Sequence, residues 1–208
     1  MIAEIKRRSP SKGSLADVVD PTQIALEYER GGAKCLSVLT DGEFFGGSPD
    51  DLGEARAAVS LPTLRKDFTV DARDVADARL MGADAVLLIA AALQPAELAD
   101  LHALAVQIGL DVLVEIHDER ELEVAMAAGA SMVGVNQRDL VSFAVDHDRA
   151  RRMGSLIPAG VVRIAESGVR GPGDATSLRE AGYHAVLVGE TLMRAADRAA
   201  AVTSLRRA

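Results

Sequence analysis

Short apolar runs alternate with amphipathic stretches along the whole chain. Runs rich in β-branched residues or leucine lie at Ile2–Ile5, Lys34–Leu39, Leu61–Leu64, Ala85–Ile89, Asp111–Glu115, Met132–Asn136, Val161–Ala165 and Ala185–Val188, each of strand length. Between them, segments such as Pro21–Gly31, Asp71–Met81, Pro95–Ile108, Asp118–Ala128 and Pro172–Ala181 repeat apolar residues at helical spacing, as Leu98, Leu101, Ala105 and Ile108 do. Several of these helices end in the same punctuation: Gly31-Gly32-Ala33, Gly82-Ala83-Asp84, Gly129-Ala130-Ser131 and Gly182-Tyr183-His184. A glycine in a left-handed conformation stops each one and turns the chain into the next strand. The pattern is therefore one βα unit repeated.

Eight such units predict a closed (β/α)8 barrel, the TIM barrel architecture, as a single catalytic domain over residues 1–208. An open doubly wound sheet is disfavoured because no glycine-rich dinucleotide fingerprint follows the first strand. In a barrel, functional groups belong at the C-terminal ends of the strands and in the loops that follow them.

Those ends carry an unusual inventory. The first strand is apolar except for Glu4, with Lys6 following on the same face, and a buried acid and base side by side need a reason. Later strands end in Lys66-Asp67-Phe68, in Leu87 and Ile89, in Glu115-Ile116-His117, in Asn136-Gln137-Arg138-Asp139, in Glu166-Ser167-Gly168 and in Gly189-Glu190. Any one of these could be a polar residue emerging into solvent, but random placement would scatter them over both rims. Lys66 shares a face with Leu64 and Phe68, and the balance of burial against neighbouring carboxylates decides whether it can act as a general acid. Glu115 enters the same mouth, where burial is expected to raise its proton affinity and suit it to acid or base work. A structural Lys–Glu ion pair closing the barrel top is the competing reading.

Ser167-Gly168 and Gly189-Glu190 follow the seventh and eighth strands, where barrels commonly bind phosphate through backbone amides and a short helix. A glutamate beside phosphate is awkward, so only the backbone amide of Glu190 is assigned to binding. Ser9 and Ser11, after the first strand, could add hydroxyl donors. Aromatic residues are scarce, yet Phe44, Phe45 and Phe68 sit at or just after strand ends, which suggests a flat apolar substrate group or a hydrophobic plug under a loop.

Composition narrows the classes. The net charge of −8 makes steering to nucleic acid or an anionic membrane unfavourable. No apolar run approaches the ~18 residues of a membrane span. Cys35 is the only cysteine, so an intrachain disulfide is excluded, in keeping with a reducing cytoplasm, and a small core role is expected for it. His102, His117, His147 and His184 show no metal-ligand spacing. The helices show no clear interface stripe, so a monomer or weak homo-oligomer is expected.

Taken together, several motifs resemble indole-3-glycerol phosphate synthase. They are Ala3-Glu4-Ile5-Lys6 with Ser9-Pro10-Ser11-Lys12-Gly13, Leu36–Thr40 leading to Phe45 and Gly47-Ser48, Arg65-Lys66-Asp67-Phe68, Leu113–His117, Gly134–Leu140, Ala165-Glu166-Ser167-Gly168 and Leu187-Val188-Gly189-Glu190. The resemblance spans essentially the whole chain, in order. It implies decarboxylating, dehydrating ring closure of 1-(2-carboxyphenylamino)-1-deoxyribulose 5-phosphate in tryptophan biosynthesis. By that resemblance Lys66 is the general acid, Glu115 the base of the dehydration, and Lys6 the holder of the anthranilate carboxylate. Glu4, Asn136 and Glu166 orient the lysines and sugar hydroxyls, with Arg138 in support. Phe45, Phe68, Leu87 and Ile89 form the ring pocket, Ser9 contributes to substrate binding, and Ser167, Gly168, Gly189 and the amide of Glu190 hold the phosphate. No metal or organic cofactor is implied, and the expected partner is a small phosphorylated substrate.

The family usually carries several dozen residues ahead of its first strand, including a helix over the mouth. Here the first strand begins at Met1 or Ile2, so weakened substrate binding with intact catalytic strand ends is expected. Two other readings stand beside this one: another phosphosugar barrel such as phosphoribosylanthranilate isomerase, and a truncated non-catalytic paralogue.

Overall fold

Eight parallel strands close into a barrel: β1 (Ile2–Ile5), β2 (Cys35–Leu39), β3 (Thr63–Lys66), β4 (Ala85–Ile89), β5 (Asp111–Ile116), β6 (Met132–Asn136), β7 (Val162–Glu166) and β8 (Ala185–Val188). The computed structural model describes residues 1–16, 19–139 and 141–208. Leu140, at the end of one motif quoted above, lies outside them. Each strand pairs with its sequence neighbours, and β8 returns to β1. The helices α1 (Pro21–Gly31), α2 (Pro49–Ala58), α3 (Ala72–Leu80), α4 (Pro95–Gln107), α5 (Glu119–Ala127), α6 (His147–Gly154), α7 (Pro172–Glu180), α8 (Glu190–Met193) and α9 (Arg198–Arg207) belong to the outer layer and the strand-end loops.

The local causes recur from unit to unit. Asp20, Ser48, Asp71, Asp118, Asp146 and Asp197 accept hydrogen bonds from the first free backbone N–H groups of their helices, which favours starts at those points. At the far end, Gly82 takes a φ of +85°, and its N–H and that of Ala83 bond back to Arg79 and Ala78. Gly32, Gly129 and Gly182 end their helices in the same way. The strands are buried on both faces, as parallel sheets require. Outward residues such as Val38, Val86, Leu88, Val114, Val135 and Ala165 pack under the helices. Inward residues form a separate core.

Register decides which inward residues share a height. Glu4 pairs with Ser37, Ser37 with Leu64, Leu87 with Leu113, Glu115 with Gly134, and Leu187 with Glu166. Because the strands tilt, each step to the next strand drops one residue, so inward residues of alternate strands form layers of four. From the bottom these are Cys35, Ala85, Met132 and Ala185; then Ile2, Leu64, Leu113 and Ile164; then Ser37, Leu87, Gly134 and Leu187. The layer above them is Glu4, Lys66, Glu115 and Glu166. Three apolar or small layers thus carry a layer made only of charge.

Four strand ranges differ from the sequence pattern, the second by starting at Cys35 and the fifth by ending at Ile116. The third strand runs Thr63–Lys66 rather than Leu61–Leu64, and the seventh runs Val162–Glu166 rather than Val161–Ala165. In both, pairing with the neighbouring strand carries the ladder past the last apolar residue, so Lys66 pairs with Leu39 and Glu166 with Asn136. The helices α2, α6 and α9 were not among the amphipathic segments named from the sequence. A two-residue antiparallel ladder, Arg8–Ser9 with Gly13–Ser14, shapes the first loop. Among the described residues no helix is long and apolar enough to cross a membrane.

Leu113 lies in the second layer from the bottom, on the same strand face as Glu115, and is 1% exposed. Leu113→Ala is expected to cost about 3 kcal/mol, read as a lower urea midpoint; an unchanged midpoint would show that the inner layers do not support the barrel.

Candidate active site

The charged layer forms the floor of a cavity of about 580 Å³ at the C-terminal ends of the strands. Lys66, the last residue of β3, places its ammonium 3.3 Å from Glu115 Oε2 and 3.7 Å from Glu166 Oε2. Asn136, at the end of β6, donates through Nδ2 to Glu115 Oε1 at 3.0 Å, and its own side-chain oxygen accepts from the Arg138 N–H at 3.0 Å. Lys6, just beyond β1, pairs with Glu4 at 2.6 Å, and the Ser37 hydroxyl donates to the other Glu4 oxygen at 3.4 Å. Tyr28 from α1 donates to the Glu4 backbone carbonyl at 3.0 Å, fixing the end of β1 from outside.

Two glycines make room for these carboxylates. A Cβ on Gly134 would stand 2.0 Å from Glu166 Oε1, and one on Gly189 would stand 2.3 Å from Glu4 Oε1. Gly189 has an ordinary negative φ, so close approach rather than backbone freedom demands glycine there.

One wall is apolar. Phe45, Phe68, Leu87 and Ile89 line it, with the Phe45 and Phe68 rings 6.3 Å apart. Phe44 does not line the cavity but packs edge-on against Phe68 at 5.7 Å. The loop after β1 is tied to the loop carrying Phe45, where Arg8 donates to the carbonyls of Gly42 and Glu43, and to the first turn of α2, where Arg7 pairs with Asp51. Ser9 and Ser11 line the cavity from this loop.

The opposite side is built from the β7 and β8 loops. Ser167 and Gly168 take successive left-handed conformations, with φ of +66° and +73°. Gln137 donates to the Ser167 carbonyl at 2.7 Å, and the Thr191 hydroxyl ties α8 to the Val169 carbonyl at 2.6 Å. The Glu190 carboxylate, awkward for an anion site, lies 3.8 Å from both Arg138 and Arg194, which offset its charge.

The electrostatics divide the carboxylates. Burial disfavours the charge on Lys66, but Glu115, Glu166 and Glu4 outweigh it and hold the ammonium above the usual lysine range. Burial also acts against ionised Glu115, yet Lys66, the Asn136 amide and His117 prevail and lower its pKa. This corrects the expectation from sequence, in which burial alone set the direction. The carboxyl that holds its proton is Glu166, through burial and then the charge of Glu115.

Every residue expected in the site lines the cavity: Glu4, Lys6, Ser9, Phe45, Lys66, Phe68, Leu87, Ile89, Glu115, Asn136, Arg138, Glu166, Ser167, Gly168, Gly189 and Glu190. Sequence reasoning missed Lys12, Phe143, His147, Arg170, Thr191 and Arg194, which line it too. Lys12 belongs to the first quoted motif and Phe143 is the fourth of four phenylalanines, so both carried a signal. Arg170 and His147 carried none.

The family model described as indole-3-glycerol phosphate synthase matches residues 1–205. Indole-3-glycerol phosphate synthase 2 of Streptomyces coelicolor is 54% identical over 197 residues, covering 95% of this chain and 76% of that protein. Indole-3-glycerol phosphate synthase of Chlorobium luteolum is 52% identical over 192 residues, covering 92% and 73%. Among solved structures, thiamine phosphate pyrophosphorylase from Pyrococcus furiosus superposes with a TM-score of 0.72 at 15% identity, over 99% of this chain and 92% of that one. That likeness concerns the fold alone.

The raised pKa of Glu166 has a stability consequence. Above its ordinary value of 4.5 the folded protein holds a proton that the unfolded chain releases, so this residue's contribution falls as pH rises toward the folded value. Glu115 has the opposite sign: its contribution is present above 4.5 and is lost as pH falls below. Glu166→Gln is therefore expected to flatten the decline of the urea midpoint with rising pH, and a slope equal to that of the parent would count against a protonated Glu166.

Proposed function

The chain belongs to the indole-3-glycerol phosphate synthase family, a family of decarboxylating, ring-closing lyases of tryptophan biosynthesis, and we propose that its charged layer carries that reaction. The single observation that carries the assignment is the half-buried, charged Lys66 held between Glu115 and Glu166 at the floor of a half-apolar cavity. In this reading the barrel over residues 1–208 is the catalytic domain.

The substrate, 1-(2-carboxyphenylamino)-1-deoxyribulose 5-phosphate, offers an aromatic ring, a carboxylate, a ketone and a phosphate. The apolar wall of Phe45, Phe68, Leu87 and Ile89 suits the ring, and Lys6 suits the carboxylate. The backbone of Ser167, Gly168, Gly189 and Glu190 suits the phosphate, with Ser9 adding a hydroxyl. The Lys66 ammonium donates to the ketone oxygen as the ring carbon attacks. Loss of carbon dioxide then restores the aromatic ring without a proton transfer at that carbon. Departure of the hydroxyl as water needs a second acid step, for which Lys6 and Lys66 both stand at the floor, and a base for the adjacent C–H. Glu115 is ionised, as a base must be. Glu4, Asn136 and Glu166 hold these groups in place, and Arg138 offsets Glu190.

The isomerase reading is not favoured. No cysteine stands at the end of β1, and Cys35 sits in the bottom layer, paired in register with Ile2. A non-catalytic remnant is not favoured either, since every side chain expected to be catalytic is present and lines the cavity.

Incubation with the substrate is expected to give indole fluorescence. Lys66→Ala and Glu115→Gln should each lower kcat by about a hundredfold or more, while Lys6→Ala should chiefly raise KM. Parental rates in either of the first two variants would overturn the assigned roles.

A further inference from the structure

Glu115 has an imidazole neighbour on the side away from Lys66. His117 follows it two residues on, just beyond β5, with its side chain 11% exposed. Its Nδ1 lies 3.0 Å from Glu121 Oε2 in the first turn of α5, and the same oxygen accepts from the His117 backbone N–H at 2.7 Å. An ionised carboxylate can only accept, so Nδ1 carries a proton. The double attachment fixes the ring and leaves Nε2 3.7 Å from Glu115 Oε1. Nε2 is buried and has no hydrogen-bond partner among the described residues. His117 does not line the cavity, so any influence it has on the reaction passes through Glu115.

The chemistry gives this arrangement a task. Glu115 has to be ionised when it takes the proton from carbon, yet Lys66, its nearest cation, has by then discharged its own. Burial then favours protonation of Glu115. The Asn136 amide donates a hydrogen bond but brings no charge. A second cation, outside the cavity and unaffected by the transfer, would keep the base available.

We propose that His117, clamped by Glu121, is a positioning residue that orients Glu115 and keeps it ionised while Lys66 is neutral. The inference rests on the assignment of Glu115 as the base. The proton that Glu115 gains returns to Lys66, and the proton spent on the departing hydroxyl is replaced from solvent. The charged groups facing His117 are Glu115 and Glu121. Those facing Glu115 are Lys66 and His117, with Glu166 on the other side of Lys66 and the Lys6–Glu4 pair completing the floor.

Two variants test it, His117→Gln and Glu121→Gln. Glutamate labelled with carbon-13 at its side-chain carboxyl is followed by NMR in the unliganded protein, the Glu115 signal being identified by its loss in Glu115→Gln. In His117→Gln the Glu115 midpoint is expected to rise by about one pH unit, the low end for removing a nearby opposite charge. The acidic limb of the kcat profile should move up with it at unchanged KM. Glu121→Gln, which leaves the imidazole but removes the carboxylate charge beside Nδ1, should shift both in the same direction, and it decides the matter if His117→Gln does not fold. A Glu115 midpoint and acidic limb equal to those of the parent would overturn the proposal. A parent protein that forms no indole would instead overturn the synthase reading, while the NMR midpoints still decide what His117 does to Glu115.

Discussion

Closing eight tilted parallel strands obliges neighbouring strands to stagger, and the stagger brings inward residues of alternate strands to one height. In this chain four positions brought level in that way are Glu4, Lys66, Glu115 and Glu166. Three carboxyl groups and one lysine cannot share so small a space indifferently. Burial penalises every charge among them, by several kcal/mol per ion before partners are counted, so each ionised group persists only through a specific neighbour. Lys66 serves Glu115, Lys6 serves Glu4, and Glu166 keeps its proton instead.

The surrounding structure answers to that layer. Gly134 and Gly189 are glycines because Glu166 and Glu4 occupy the volume a side chain would need. Asn136 spans Glu115 and the start of the next loop, and Tyr28 holds the end of β1 from a helix. The three layers below contain no formal charge, and so set a low-polarity floor on which the pairings above matter more.

The fold alone says little about this chemistry. A barrel only 15% identical, named for a different activity, superposes over nearly the whole chain. Relatives at about half identity share the synthase name, and the chain spans roughly three quarters of their length.

The alternation of apolar runs and amphipathic segments was sufficient to read eight βα units, because strand and helix periods are local properties of the chain. The glycine and aspartate punctuation was legible for the same reason. So was the set of polar residues at strand ends, since period-two alternation placed Glu4, Lys6, Lys66 and Glu115 on inward faces. The boundaries of the third and seventh strands were not legible, because pairing with a neighbour, rather than apolar content, carried those ladders to Lys66 and Glu166. Nor was the protonation of the site. Sequence suggested that burial would raise Glu115, but its pKa depends on distances to Lys66, Asn136 and His117, three residues whose separation only the closed barrel fixes. Arg170 and His147 show the same limit, as their loops reach the mouth through tertiary packing that leaves no trace in local pattern.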